Sequence, residues 1–182
     1  MDIIEFDRRF AKLIAFVIAP QNFLENAWID KLSSCFGRLE HVGKFFPFNK
    51  TSYYEPEMGG NLHRCVVSFE GLAKPENIGA SKNKAIELEN SLKSENGNRV
   101  LNIDVGYMDF DKVVLPSTKR GPFKLYVGNG IWLDMVLTYA KGNFNPTGWA
   151  FADFKDNLYR KDLLLIREKY KRGLASTSQR ML

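Results

Sequence analysis

Charged and amide side chains that could bind a ligand recur in three strand-like segments of the sequence. Arg64 lies in HRCVVSF, Asn102 and Asp104 lie in RVLNIDVGY, and Asp134 lies in WLDMVLTY, each next to apolar neighbours. Because successive side chains of a strand point to opposite faces, this alternation places the four residues on one face of a sheet. Two carboxylates and an arginine are costly to bury unless they are paired, which marks this face as a candidate binding site.

A face of carboxylates and arginine suits a small polar or phosphorylated ligand, with or without Mg²⁺. In this interpretation Asp104 or Asp134 is the general base or a metal ligand, and Arg64 and Lys119 bind an anion. The same residues also fit a solvated face whose charges form cross-strand ion pairs. Because carboxylates repel phosphates, the face differs from the aromatic platform of common single-strand RNA binders.

The segment KTSYYEPEMGG, residues 50–60, connects two predicted strands at one end of the sheet. Its final glycines permit the positive φ angles of a tight turn. In a structural interpretation the tyrosines pack and the glutamates pair with Arg64 or Lys50. In a functional one the segment is a lid that brings its carboxylates towards Asp104 and Asp134. The lid residues that would contact a ligand are Tyr53, Tyr54, Glu55 and Glu57.

Complete signatures of the common catalytic and cofactor sites do not occur in the sequence. Two histidines, His41 and His63, and two distant cysteines argue against a structural zinc site. The glycine patterns of the P-loop and of dinucleotide-binding turns are missing. Ser68 and Ser117 have no histidine nearby in the sequence that would indicate a triad. We therefore predict no structural zinc site and assign no metal ligands, while Mg²⁺ remains a candidate cofactor together with a phosphorylated ligand.

The predicted elements follow the order β-α-β-β-α-β, with a hairpin and a last helix after them. KLIAFVIAP is a continuously apolar run typical of a central strand buried on both faces. NFLENAWIDKLSSCFG and SKNKAIELENSLKSENG have the apolar spacing of helices. The hairpin is predicted around Gly128-Asn129-Gly130, and the last helix spans about residues 157–171. This order predicts an α+β fold with a ferredoxin-like core, extended by the C-terminal hairpin and helix.

Length and composition indicate one globular domain. The chain has 182 residues, of which 45% are hydrophobic. We place the domain at residues 1–172 and predict a basic, disordered tail at residues 173–182. The apolar run near the N-terminus is too short for a membrane span and follows acidic residues, which argues against a signal peptide. Cys35 and Cys65 are expected to be free thiols, so we predict a cytoplasmic protein without a membrane partner.

Two further classes of function fit the sequence. The net charge is +5, and much of the excess lies near the C-terminus, where a basic helix and tail could bind nucleic acid. In the third class the hairpin binds a partner protein. The basic residues proposed to contact nucleic acid are Arg167, Lys169, Lys171, Arg172 and Arg180, with Tyr170 between them.

Three long segments carry motifs specific enough to compare with known families. They are FPFNKTSYYEPEMGGNLHRCVVSFE, RVLNIDVGYMDFDKVVLPSTK and GIWLDMVLTYAKGNFNPTGWAFADF. The most specific motifs are Tyr-Tyr-Glu-x-Glu-Met-Gly at 53–59 and Asn-Ile-Asp-x-Gly-Tyr at 102–107. Together, over about residues 11–170, they resemble the prokaryotic family known as domain of unknown function 4416.

The chain departs from the pattern of that family at several places. Ser52 stands where aspartate is usual, and Val105 stands where proline is usual. The segment KRGPFKLYV, which begins at Lys119, stands where the family has a shorter segment. This difference argues against an anion site at Lys119. The resemblance implies one intact cytoplasmic domain, and it implies no particular activity.

Overall fold

The structure is a computed structural model that describes residues 10–24 and 28–180. Within these ranges, nine strands form one sheet. The strands are β1 (Lys12–Pro20), β2 (Leu39–Val42), β3 (Phe46–Pro47), β4 (Leu62–Phe69), β5 (Asn102–Met108), β6 (Lys112–Ser117), β7 (Leu125–Tyr126), β8 (Trp132–Ala140) and β9 (Asn143–Pro146). The helices are α1 (Gln21–Leu24), α2 (Trp28–Phe36), α3 (Glu55–Met58), α4 (Ile78–Ser91), α5 (Ala152–Lys155) and α6 (Arg160–Arg180), and a 3₁₀ turn spans Pro75–Asn77.

The sheet is antiparallel and is built around β1. Its order is β2–β4–β1–β5–β6–β8–β7, with β3 paired to β4 and β9 paired to β8. The segment KLIAFVIAP forms β1 over its full length, and the residues from Ile14 to Ala19 are completely buried. An apolar run without alternation fits this position because both faces of the strand are covered. The prediction of a central, doubly buried strand is confirmed.

Helices cover both faces of the sheet, so the domain has three layers. On one face, the core that includes α2 and α4 contains Val17 and Ile103. On the other face, Phe154 of α5 and residues of α6 pack with Phe16 and Val66. The C-terminal segment therefore covers this second face around the middle of the sheet.

Side-chain alternation and the hairpin are predicted correctly. In β4, Val66 belongs to the core under α5 and α6, whereas Cys65 belongs to the core under α2 and α4. The hairpin formed by β7 and β8 turns at Gly128, Asn129 and Gly130, all of which have positive φ angles. The α+β class predicted from the order of elements is confirmed.

Four short elements, β6, β9, α3 and α5, are absent from the predicted order. The strand β6 contains a proline, and β9 reads NFNP, so neither has the β-branched, proline-free pattern of a strong strand signal. The second predicted helix is also displaced, because α4 begins at Ile78 and ends at Ser91. Gly97 lies beyond it in a turn, where its N–H donates to Ser94 O at 2.8 Å.

The last helix, α6, extends beyond its predicted end near residue 171 and reaches Arg180. The buried side chains of the predicted segment recur at helical spacing and include Tyr159, Leu163, Ile166 and Tyr170. Leu174 is buried as well, so packing continues past residue 172, the predicted end of the domain. The tail stays a prediction, and residues 181–182 lie outside the described ranges. None of the described helices is long and apolar enough to cross a membrane.

Candidate functional site

Arg64 is the centre of a buried charge network on the face covered by α5 and α6. It projects from β4, and only 1% of its surface is exposed. Its Nη1 donates to Asp153 Oδ2 at 2.8 Å, and its Nη2 donates to Asp104 Oδ2 at 2.7 Å. The side chain therefore reaches across β1, which separates β4 from β5. Two charge-assisted hydrogen bonds fix the position of the guanidinium group.

Aromatic rings enclose this guanidinium group. Its Cζ atom lies 5.0–5.6 Å from the centroids of the rings of Phe16, Phe48, Phe151 and Phe154. Burial by itself lowers the pKa of Arg64, but the two carboxylates outweigh burial, so the pKa is raised. The arginine stays charged, and both terminal nitrogens bind carboxylates. An anion from solvent would have to compete with them.

Asp153 and Tyr159 complete the buried part of the network. Asp153 lies in α5, and its Oδ2 also accepts a hydrogen bond from Tyr159 OH at 2.7 Å. Burial raises the pKa of Tyr159, so the hydroxyl group remains a donor. Neither residue is predicted from the sequence to belong to the site, because the position of the segment after β9 depends on long-range packing. The available signal is the aspartate between two phenylalanines in FADF.

Asp104 is the carboxylate of this network that reaches the surface. Its side chain is 23% exposed, whereas the side chain of Asp153 is 3% exposed. Arg64 occupies Oδ2, and no described residue donates to Oδ1. Burial raises the pKa of nearby Tyr54, and the charge of Asp104 raises it further. At neutral pH this place therefore offers a carboxylate oxygen that can accept a hydrogen bond and a phenol that can donate one.

Arg99 joins the start of β5 to the 53–58 loop, which consists of residues 53–58 and includes the short helix α3. Its Nε and Nη2 donate to the two carboxylate oxygens of Glu57 at 2.9 and 2.7 Å. Its Nη1 donates to Asn102 Oδ1 at 3.2 Å. Asn102 is buried, and its Nδ2 has no hydrogen-bond partner among the described residues. Arg99 is not predicted from the sequence to belong to the site, although Arg99 is the first residue of the segment RVLNIDVGY.

The predicted partners of the loop glutamates are wrong. Glu57 is bound by Arg99 and not by Arg64 or Lys50, and Lys50 binds a different carboxylate at 2.8 Å. The side chain of Glu55 is exposed. Of the two glutamates, Glu57 is therefore the one that fixes the loop to the sheet.

A second contact connects this loop to the segment between β6 and β7. Lys119 Nζ donates to Tyr53 OH at 2.5 Å and lies 4.5 Å from the centroid of its ring. This hydrogen bond and the lysine charge lower the pKa of Tyr53. The ring of Tyr53 packs edge-on against Tyr54 at 5.0 Å. The predicted ligand residues Tyr53, Tyr54 and Lys119 are thus neighbours.

Asp134 lies apart from the network of Arg64. Its Oδ1 accepts a hydrogen bond from Trp149 Nε1 at 2.9 Å, and its Oδ2 lies 3.8 Å from Lys124 Nζ. The strand β6 stands between β5 and β8 in the sheet. The structure therefore does not place Asp104 and Asp134, the two predicted catalytic carboxylates, on adjacent strands.

The network shows how its carboxylates are neutralised. Within the described ranges, no group of three or more His, Cys, Asp or Glu side chains could hold a metal ion. Arg64 and Arg99 supply the positive charge instead. The contacts that these carboxylates make in the structure are therefore hydrogen bonds and ion pairs with the two arginines.

A serine, a histidine and an aspartate also approach one another on the face covered by α6. Ser68 and His41 are register partners on β4 and β2, and His41 Nε2 lies 2.9 Å from Asp162 Oδ1. Strand register brings the two residues together, which the sequence analysis could not detect. Ser68 is completely buried, and its Oγ has no hydrogen-bond partner among the described residues. A substrate could not reach this hydroxyl group, so the cluster contributes to packing.

The basic residues of α6 are partly engaged within the protein. The Cζ atom of Arg167 lies 3.7 Å from the centroid of the Tyr139 ring, and its Nη2 donates to Phe110 O at 3.2 Å. Lys171 pairs with Glu168 at 3.1 Å. Two of the cations named for contact with nucleic acid therefore already have partners inside the chain.

Fold and network together define a single-domain α+β protein whose sheet carries a buried arginine–carboxylate network. The chain belongs to the family described as domain of unknown function (DUF4416), whose model matches residues 9–170. The resemblance inferred from the motifs is confirmed. No curated protein and no solved structure matches the chain.

The substitution Glu57→Gln is expected to destabilise the protein at neutral pH and to have little effect on its stability at acidic pH. The hydrogen bonds from Arg99 are the main cause that lowers the pKa of Glu57. Such a carboxylate stabilises the fold above its unfolded pKa, and this contribution is lost as the pH falls through the folded pKa. At neutral pH, Glu57→Gln should cost less than about 1 kcal/mol because the pair is partly exposed. Urea unfolding at several pH values measures the difference.

The matched control for this experiment is Glu55→Gln in the same loop. The side chain of Glu55 is exposed, so this substitution should leave the free energy of unfolding nearly unchanged at every pH. A penalty for Glu57→Gln that persists at low pH would contradict the role assigned to the ion pair.

Proposed function

We propose that the protein binds a small polar or phosphorylated metabolite at Asp104, beside the 53–58 loop. The observation that supports this most directly is the asymmetry of the Asp104 carboxylate. Arg64 holds Oδ2 from the buried side, while the side chain is 23% exposed and no described residue donates to Oδ1. A carboxylate fixed in orientation with one oxygen unused is suited to accept a hydrogen bond from a ligand hydroxyl or amino group.

Neighbouring residues supply complementary groups. The raised pKa of Tyr54 keeps its phenol protonated at neutral pH, so it can donate to an oxygen of the ligand. Lys119 carries a positive charge at the exposed edge, where it would attract a phosphate. In this proposal Arg64 positions Asp104 and does not touch the ligand. If the ligand carries a proton that must be removed, Asp104 is the residue that would act as the general base.

The proposal also includes a ferredoxin-like architecture for the sheet and a cytoplasmic location for the protein. The order β2–β4–β1–β5, with all neighbours antiparallel, supports a ferredoxin-like unit as the part of the sheet that carries Arg64 and Asp104. The later strands and α6 are then additions to this unit. Cys35 and Cys65 are free thiols, which supports a reducing compartment such as the cytoplasm.

A thermal-shift screen of nucleotides and sugar phosphates, with and without Mg²⁺, tests the proposal. A ligand present at about 100 Kd should raise Tm by roughly 5–10 °C in a protein of this size. Asp104→Asn should remove most of this shift, because an amide cannot accept and orient the hydrogen bond in the same way as a carboxylate.

The matched control is Asp134→Asn, which makes the same chemical change outside the network. It should leave the ligand-induced shift of Tm unchanged. The proposal fails if no ligand class raises Tm. It also fails if Asp104→Asn lowers the stability of the free protein but leaves the ligand-induced shift intact, because Asp104 would then be only a structural partner of Arg64.

A further inference from the structure

A cavity of about 390 Å³ lies on the other face of the sheet, beside the beginning of α4. Its volume is within the range of about 300–1,000 Å³ that is usual for small-molecule sites. None of its lining residues belongs to the 53–58 loop or to the network of Arg64. The cavity is therefore separate from the site proposed at Asp104. Its lining includes Leu13, Lys74, Ile78, Ser81, Lys84 and Tyr107.

Tyr107 provides a polar group inside this cavity. It projects from β5, is 9% exposed, and packs with Ile78 and Val114. No described residue forms a hydrogen bond with its phenol, and the phenol oxygen is not among the buried atoms that lack a partner, so it is open to the cavity. Burial raises the pKa of Tyr107, so the phenol is a hydrogen-bond donor at neutral pH. A ligand in the cavity would give this donor its acceptor.

The electrostatic environment of the cavity favours an anion. Its lining contains Lys74 and Lys84 and no carboxylate. The first turn of α4 contributes Ile78 and Ser81, and the 3₁₀ turn at Pro75–Asn77 leads directly into it, with Ile78 N–H donating to Pro75 O. The positive end of the helix dipole lies at this end of α4 and adds to the charge of the lysines.

The acidic group nearest to Tyr107 is already neutralised. Asp109 is close enough to contribute to the raised pKa of Tyr107. Its carboxylate forms an ion pair with Lys112 at 2.6 Å. The charge that a ligand would meet in the cavity is thus positive.

We infer that this cavity is a second binding site, which takes a small organic phosphate with an apolar body. The apolar body lies against Leu13 and Ile78, and the phosphate lies between the two lysines and the N-terminus of α4. The phenol of Tyr107 donates a hydrogen bond to the ligand. Shape, charge and the unpartnered donor all support the same class of ligand.

An NMR titration with phenyl phosphate tests this inference on the complete chain. Phenyl phosphate should shift the backbone amide signals of Ala80 and Ser81, because both residues line the cavity. Phenol, which has the same ring without the phosphate, should bind at least about tenfold more weakly, since it forms no charge-assisted hydrogen bonds. The inference is wrong if phenyl phosphate shifts neither signal, or if phenol binds equally well.

Variants of the lining separate the cavity from the site at Asp104. Lys74→Glu combined with Lys84→Glu should weaken binding of phenyl phosphate at least about tenfold, and Tyr107→Phe should weaken it about fivefold. The control is Lys31→Glu, which changes an exposed lysine of α2 outside the cavity. This variant should bind phenyl phosphate as the unchanged protein does. The amide signals of Ala80 and Ser81 report on the cavity and not on Asp104, so failure of the first proposal does not imply failure of this one. Equal binding by the lysine double variant and by the control would overturn the inference.

Discussion

Replacing Arg64 by methionine is expected to lower the free energy of unfolding by about 3–5 kcal/mol, the range for breaking a buried ion pair. The substitution keeps a flexible side chain of similar length but removes the positive charge. Asp153 would then be a buried carboxylate without a cation, since its side chain is 3% exposed. Asp104 would lose the group that orients it. Urea denaturation at neutral pH measures the loss.

Two controls identify the cause of the loss. Lys171→Met removes a positive charge from an exposed pair with Glu168 and should cost less than about 1 kcal/mol. Arg64→Met combined with Asp153→Asn removes both buried charges and should recover part of the stability lost by Arg64→Met alone. If Arg64→Met costs no more than Lys171→Met, the network is not a determinant of stability.

The sequence predicts the direction of the site residues but not their partners. Strand alternation alone assigns Arg64 and Asp104 to the same face, and the structure agrees. Their ion pair crosses β1, because the register places Ile18 opposite Arg64 and Phe16 opposite Asp104. Strand order determines this contact, and strand order has no local signal in the sequence.

The partners that were missed lie outside the regular strands. Arg99 precedes β5, and Asp153 and Tyr159 belong to the segment that covers the sheet. Asp153 is far from Arg64 in the chain, yet its carboxylate binds the guanidinium group at 2.8 Å. Periodicity predicts how a residue is oriented within an element, but it does not predict which distant loop covers that element.

The separation of Asp104 from Asp134 has one structural cause. The strand β6, which stands between β5 and β8, is not predicted from the sequence. In the structure β6 pairs with β5 through Tyr107 and Met108, and it pairs with β8 along its whole length. Asp134 instead binds Trp149 and faces Lys124. A single missed strand thus removes one of the two carboxylates from the candidate site.

Alanine at position 154 is expected to lower the free energy of unfolding by about 3–5 kcal/mol, as for other buried phenylalanines. Phe154 is 2% exposed. Its ring packs edge-on against Phe16 at 4.8 Å and lies 5.7 Å from the ring of Tyr159. The substitution would open a cavity between α5 and the sheet, directly beside Arg64. Thermal and urea unfolding measure the effect.

Phe151 provides a matched control from the same segment. Its ring lies 5.6 Å from Arg64 Cζ, close to the 5.1 Å of Phe154, but 53% of Phe151 is exposed. Phe151→Ala should therefore cost less than about 1 kcal/mol, because little apolar surface is returned to water. Both variants remove one ring from around the guanidinium group. The difference between their free energies of unfolding therefore measures the contribution of burying the ring against the sheet. Equal losses would mean that contact with Arg64, and not packing of α5 on Phe16, is what holds this segment over the sheet.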